Sequence, residues 1–229
     1  MQETTTISLK SLLVQLPLRL PRYHGIHKRF SKYTMISKTA YLRNLALVDN
    51  YSHVQGTVVE CGVWRGGMIA GIATLFGSDR EYHLFDSFEG LPPAREIDGQ
   101  SAIAWQADKD SPGYHDNCRA EESEATAAME LSGSRRFVLH KGWFDKTIPL
   151  WSSSAAPIAV LRLDCDWFDS MMVCLNHLMP RMAPGGIVIV DDYYTWDGCT
   201  KAVHEYLAAS GKPLRMRQFL NGPFYLVNE

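Results

Sequence analysis

Five short apolar runs, at 57–61, 81–85, 136–140, 158–163 and 186–190, alternate with helical patterns along this chain. Each is rich in Val, Ile or Leu, as a strand covered on both faces must be. That alternation specifies an α/β fold, a parallel sheet with helices on both faces. Met68, Ile72, Leu75 and Phe76 share one helical face, and Gly77 ends that helix. Asp169 or Ser170 is placed to cap a helix that turns Met172, Leu175 and Met179 inward, its end marked by Pro184-Gly185-Gly186. Ala202, Val203, Tyr206 and Leu207 form another stripe, with Gly211 just past it. The tail reads as a terminal hairpin, 214–219 and 224–227, around Asn221-Gly222-Pro223.

The 229 residues suit one domain with a small appendage, large enough to fold without disulfides. Residues 33–229 are expected to form that domain and residues 1–32 an N-terminal arm. Pro17, Arg19 and Pro21 interrupt the arm's apolar stretch at 12–20. It is expected to pack on the body or on a second subunit, the latter giving a homodimer. A net charge of −2 with scattered Lys and Arg argues against a nucleic-acid surface. No apolar run reaches the roughly 20 residues that cross a bilayer, and no signal-peptide core opens the chain. Cys61, Cys118, Cys165, Cys174 and Cys199 form no CxxC pair, and free thiols suit a cytoplasmic location. The polar stretch between Leu91 and Gly133 breaks the alternation. Its 120–131 part is expected to be a crossover helix. The insertion at about 92–118 is too long for a plain connection and reads either as a lid or as a solvated excursion.

Four motifs fall at strand ends. Glu60-Cys61-Gly62-Val63-Trp64-Arg65-Gly66-Gly67 joins a strand to a helix, where glycines let a backbone approach a ligand. It is not the dinucleotide fingerprint. Glu60 fits a pyrophosphate poorly and suits a cationic ligand with an amino-acid end, such as S-adenosylmethionine; a plain tight turn is the alternative. Asp86-Ser87 ends the next strand, where a carboxylate accepts from ribose hydroxyls, or else caps a helix. Asp164-Cys165-Asp166 and Asp191-Asp192 end the fourth and fifth strands, one crossover helix apart. Carboxylates gathered on one sheet edge repel unless a cation intervenes, and oxygen-only ligands favour Mg²⁺. His83, His140 and His177 read as packing residues, His115 as a residue of the lid. Trp143-Phe144 either flanks an adenine ring or packs in the core.

Taken in order, these segments resemble the macrocin O-methyltransferase family, which acts on sugar hydroxyls of antibiotics. Tyr33-Thr34-Met35, the segments 59–67 and 85–92, Lys141-Gly142-Trp143-Phe144, the segment 161–170, Pro184 to Tyr193, and Trp196-Asp197-Gly198 carry the resemblance. It implies a class I methyltransferase fold, Rossmann-like, with an antiparallel terminal hairpin. It implies S-adenosylmethionine held by Glu60, Cys61, Gly62, Val63, Trp64, Gly66, Asp86, Ser87 and Trp143, with Thr34 and Met35 closing over it. It implies Mg²⁺ on Asp164, Asp191 and Asp192, and a lid that shapes the pocket for a glycoside or other polyhydroxylated small molecule. Asp164 is the expected general base. Two other readings remain open: a DxD glycosyltransferase using Asp164-Cys165-Asp166, and a non-catalytic methyltransferase-like subunit.

Overall fold

The computed structural model describes residues 9–229, with side chains described from residue 19. Among these residues one sheet is formed by β1 (Thr57–Cys61), β2 (Tyr82–Asp86), β3 (Phe137–Lys141), β4 (Ile158–Leu163), β5 (Met182–Val190), β6 (Arg217–Gln218) and β7 (Phe224–Val227). The order is β3-β2-β1-β4-β5-β7-β6. The first five strands run parallel, and β7 lies antiparallel to β5. The chain builds outward from β1 to β3, then crosses to β4. The reversal between β1 and β4 is the switch point at which a doubly wound sheet opens a ligand crevice beyond its carboxyl ends.

Strand alternation feeds two cores. Val58, Leu84, Val160, Ile187 and Ile189 face helices Lys38–Asp49, Gly67–Phe76 and Glu122–Ser132. Val59, Phe85, Leu161, Leu163, Val188 and Val190 face helices Phe144–Ser152, Phe168–Leu178 and Asp197–Ser210. Each fully buried side chain of this kind contributes about 1.5–3 kcal/mol. The N-terminal helix Leu9–Phe30 runs through the proline-punctuated stretch and sinks Tyr23, Ile26 and Phe30 into the first core. The apolar side chains before residue 19 lie outside the described residues.

Three local expectations shift. Helix Phe168–Leu178 ends before Pro180, and its buried stripe is Met171, Cys174, Leu175 and Leu178, with Met172 half-buried. Pro184-Gly185-Gly186 lies inside β5, where the register slips: Ile158 faces Met182, but Val160 faces Ile187. Gly186 approaches Ile158 so closely that a Cβ would stand 2.9 Å from its carbonyl oxygen. Neither Asp169 nor Ser170 caps the helix at 168. Its first amide, that of Phe168, donates to Oδ1 of Asp98 at 2.7 Å, across seventy positions of chain.

That contact makes the insertion a braced wall. Asp98 is only 2% exposed, and its Oδ2 accepts from the Arg95 amide at 2.8 Å. Gln106, on helix Gln100–Ala107, accepts from the Ala94 amide and donates to Pro92 O and to Asn117 Oδ1. Asn117 exchanges bonds with Leu91 at 3.0 and 2.7 Å. His115, Asp116, Asn117 and Cys118 all hold positive φ, from 46° to 60°. Each such residue costs about 1–2 kcal/mol, so this turn persists through its anchors. Among the described residues, no helix is long and apolar enough to cross a membrane.

Candidate functional site at the carboxyl edge of the sheet

A cavity of about 500 Å³ opens at the switch point, lined from every parallel strand end except β3 itself. One half is built from β1, β2 and the segment before helix Lys38–Asp49. Glu60, Gly62, Val63 and Trp64 line it beside Asp86 and Ser87, with Thr34 and Met35 opposite and Trp143 at the rim. Trp143 and Met35 are 38% and 37% exposed, so both sit at the mouth. Cys61 and Gly66 do not face the cavity. Cys61 is fully buried in the second core. Gly66 begins helix Gly67–Phe76 with φ +77, and a Cβ there would meet Ala125.

The glycines of this turn are dictated by neighbours. Gly62 has φ +83, and a Cβ on it would lie 1.8 Å from the carbonyl oxygen of Asp164. The close approach is what lets the ends of β1 and β4 share one cavity. Asp86 organises the turn: its Oδ2 accepts from the Trp64 amide at 2.8 Å and its Oδ1 from the Phe88 amide at 2.7 Å. Burial pushes its carboxyl up, against those amide bonds. Each oxygen keeps a second lone pair for a ligand hydroxyl.

Between the two halves lies Arg162, a guanidinium 1% exposed near the carboxyl end of β4. Its Nη1 donates to Glu60 Oε1 at 2.6 Å and to Asp164 Oδ2 at 2.7 Å, and its Nη2 lies 2.7 Å from Asp191 Oδ1. Burial pulls its pKa down, but the three carboxylates outweigh burial and hold it well above its ordinary value. Glu60 is pushed up to about 7, because burial outweighs the arginine. Its Oε2 is buried with no hydrogen-bond partner among the described residues. A carboxylate oxygen left unpaired at a cavity wall is suited to a cationic group.

The other half is acidic and aromatic. Asp164, Asp166 and Asp192 each offer an oxygen within 4.8 Å of the others. The sequence expectation grouped Asp191 with Asp164 and Asp192, but Asp191 turns to Arg162 and Asp166 takes its place in the trio. The cause is the 3₁₀ turn Asp191–Tyr194, in which neighbouring side chains diverge by about 120°. Burial, and then Asp164, pushes the Asp166 carboxyl up to about 8. Asp192 is pushed up by burial and then by Asp166, and its Oδ2 has no hydrogen-bond partner among the described residues. Crowded, mutually repelling oxygens of this kind fit a hard divalent cation. The indole N–H of Trp196 donates to Asp166 Oδ1 at 2.9 Å. Trp105, from the insertion, shares this wall.

The model of the family described as Macrocin-O-methyltransferase (TylF) matches residues 20–218, which contain all five parallel strands. The chain belongs to the macrocin O-methyltransferase family. It is 34% identical, over 69% of its length, to 8-demethyl-8-(2,3-dimethoxy-alpha-L-rhamnosyl)-tetracenomycin-C 4'-O-methyltransferase of Streptomyces olivaceus. It is 35% identical, over 67% of its length, to mycinamicin III 3''-O-methyltransferase of Micromonospora griseorubida. These matches span 60% and 61% of the relatives, so the chain covers about three-fifths of their length. Among solved structures, the O-methyltransferase NovP superposes with a TM-score of 0.70 at 27% identity, covering 86% of this chain and 82% of that one.

Within this macrocin O-methyltransferase family chain, the histidines divide. His83 and His140 pack against each other at 3.0 Å under Trp151, as expected, while His177 is exposed on its helix. His115 meets the Trp64 ring edge-on at 6.1 Å. Arg162 and the tryptophan wall were not anticipated. A lone Arg inside an otherwise apolar strand was the available signal for the first, since a buried guanidinium requires carboxylates around it.

Proposed function

We propose that this chain is an O-methyltransferase that moves a methyl group from S-adenosylmethionine to a hydroxyl of a sugar or other polyhydroxylated small molecule, with Mg²⁺ at the acidic half. The observation that carries this reading is the single cavity joining an unpaired Glu60 oxygen at one end to the unpaired Asp192 oxygen and its acidic neighbours at the other. Bound there, the donor supplies an electrophilic methyl group and the cation lowers the pKa of a hydroxyl and orients it.

The rest is performed by the chain. Glu60 Oε2 accepts from the donor's ammonium group, and Asp86 with Ser87 faces its ribose. Trp64, Met35 and Trp143 provide apolar surface for its adenine. Asp164 and Asp192 hold the cation, since Mg²⁺ needs only one or two carboxylates besides substrate and water. Asp164 was the sequence candidate for general base. Its Oδ2 is already committed to Arg162. Asp166, whose one side-chain hydrogen bond among the described residues comes from the Trp196 N–H, is the better placed acceptor for the hydroxyl proton. Arg162 fixes Glu60, Asp164 and Asp191 relative to one another, so donor and acceptor meet in near-attack geometry.

The relatives named for methylating glycosylated small molecules support the substrate class. The unpaired Glu60 oxygen would repel the diphosphate of a nucleotide sugar, which weighs against the glycosyltransferase reading. The test is incubation with S-adenosylmethionine and a panel of hydroxylated glycosides, in Mg²⁺ or in EDTA. The expected product carries one added methyl group and forms only with Mg²⁺. Turnover unaffected by EDTA contradicts the metal role, and donor binding without turnover on any acceptor favours the non-catalytic subunit.

A further inference from the structure

Asp166 sits in an uncommon backbone state. Its φ is +55°, in the left-handed region that few residues with a Cβ adopt. Such a conformation persists only where its surroundings over-determine it. The Trp167 amide turns back to Cys165 O at 2.6 Å, and the next two anchors both come from the insertion. Pro92 O accepts from the Trp167 indole N–H at 2.9 Å. Asp98 Oδ1 accepts from the Phe168 amide at 2.7 Å. Asp98 is itself fixed: it is 2% exposed, and its other oxygen accepts from the Arg95 amide at 2.8 Å in the turn Glu96–Asp98.

A second helix starts against the same carboxylate. A Cβ on Gly198 would collide with Asp98 Oδ1, and one on Gly99 with Asp197, so helix Asp197–Ser210 begins in contact with this turn. The residue before that helix is Trp196, whose indole N–H donates to Asp166 Oδ1 at 2.9 Å. One buried side chain therefore abuts the first turns of two helices, where a carboxylate is favoured by the helix dipole. One helix leads back to the main chain of Asp166, the other to the donor that holds its side chain. Resting on the methyltransferase reading above, in which Asp166 takes the hydroxyl proton, we infer that Asp98 is a positioning residue that sets where the Asp166 carboxylate points. Asp98 does not line the cavity, so it acts only through Phe168 and Trp196. Proton transfer depends on that alignment. The donor half is built on β1 and β2 and does not share these anchors, so the effect of Asp98 falls on turnover and spares donor affinity.

Six tryptophans give six indole N–H resonances, and Trp196→Phe identifies the one that reports the bond to Asp166. In ¹⁵N-labelled protein without donor or cation, Asp98→Ala should move that resonance upfield, the direction of a weakened hydrogen bond. The resonance of Trp151, packed against His83 in the other part of the sheet, should stay in place. Asp98→Asn keeps an oxygen for the Phe168 amide and should shift Trp196 less. In turnover of a glycoside with S-adenosylmethionine and Mg²⁺, kcat should fall roughly ten- to hundredfold in Asp98→Ala and recover most of that loss in Asp98→Asn. S-adenosylhomocysteine affinity should stay within about twofold in both, which also shows that they fold. A Trp196 resonance unmoved in Asp98→Ala overturns the inference, as does an Asn variant no better than Ala, or donor affinity that falls in step with kcat. If Asp98→Ala does not fold, the Asp98→Asn spectrum decides by the same criterion. A wild type that methylates no glycoside overturns the methyltransferase reading instead, and the spectrum, which needs no ligand, still decides whether Asp98 sets the Trp196–Asp166 bond.

Discussion

Replacing Arg162 with Met keeps an unbranched apolar stem and removes the guanidinium. Three carboxylate contacts at 2.6–2.7 Å disappear with it. Glu60, 1% exposed, cannot turn to water and already has one oxygen without a partner among the described residues. Removing one partner of a buried ion pair costs about 3–5 kcal/mol, because charge is left uncompensated. In a domain of this size each kcal/mol shifts Tm by about 2–4 °C, so the variant should melt roughly 6–20 °C below wild type by calorimetry. Glu60→Gln in the Arg162→Met background removes one stranded charge and should restore about 1–2 kcal/mol. The double variant is the decisive arm, since a purely steric effect of Met would not respond to it. A single variant within ~2 °C of wild type, or a double variant less stable than the single, refutes the argument that Arg162 holds the strand ends together.

Other expectations follow from single sites. Gly62→Ala should cost more than ~3 kcal/mol in urea denaturation, since its Cβ would overlap Asp164 O; Gly133→Ala, also at positive φ but with open space around it, should cost only about 1 kcal/mol. Asp98→Ala removes the cap on Phe168 and the Arg95 bond, so it should lower stability by about 1–2 kcal/mol and speed limited proteolysis between residues 92 and 118. Burial pushes His83 down to about 4, so the native state refuses a proton that the unfolded chain accepts below its usual 6.5. The stability it contributes is full above pH 6.5 and lost as pH falls toward 4, by roughly 3 kcal/mol at 1.36 kcal/mol per unit; the urea midpoint of His83→Gln should fall less between pH 7 and pH 5 than that of wild type. Asp192→Asn should abolish Mg²⁺-dependent turnover and leave S-adenosylhomocysteine affinity within about twofold.

The fold was legible because its buried strands are written plainly. Thr57–Cys61 and Ile158–Leu163 begin and end where their apolar runs do. Strand-end glycines and carboxylates located the cavity for the same reason: side chains that follow a buried parallel strand emerge at its carboxyl edge. What stayed hidden depends on direction or on distance along the chain. Asp191 and Asp192 are adjacent in sequence, and only the 3₁₀ turn reveals that they part, one to Arg162 and one to Asp164 and Asp166. The cap from Asp98 to Phe168 joins residues seventy apart, which no local pattern encodes. The insertion has no apolar periodicity, so its anchoring by Gln106 and Asn117, and the delivery of Trp105 to the acidic trio, appear only in three dimensions.

The most direct measurement of the central claim is isothermal titration of the purified protein with S-adenosylhomocysteine, first in EDTA and then in Mg²⁺. Saturable one-to-one binding in both conditions, abolished in Glu60→Gln, is the predicted result, because the donor half is built from Glu60, Asp86 and Ser87 without help from the acidic trio. No binding in either condition would contradict the account, and binding unaltered in Glu60→Gln would contradict its assignment of the donor's ammonium group.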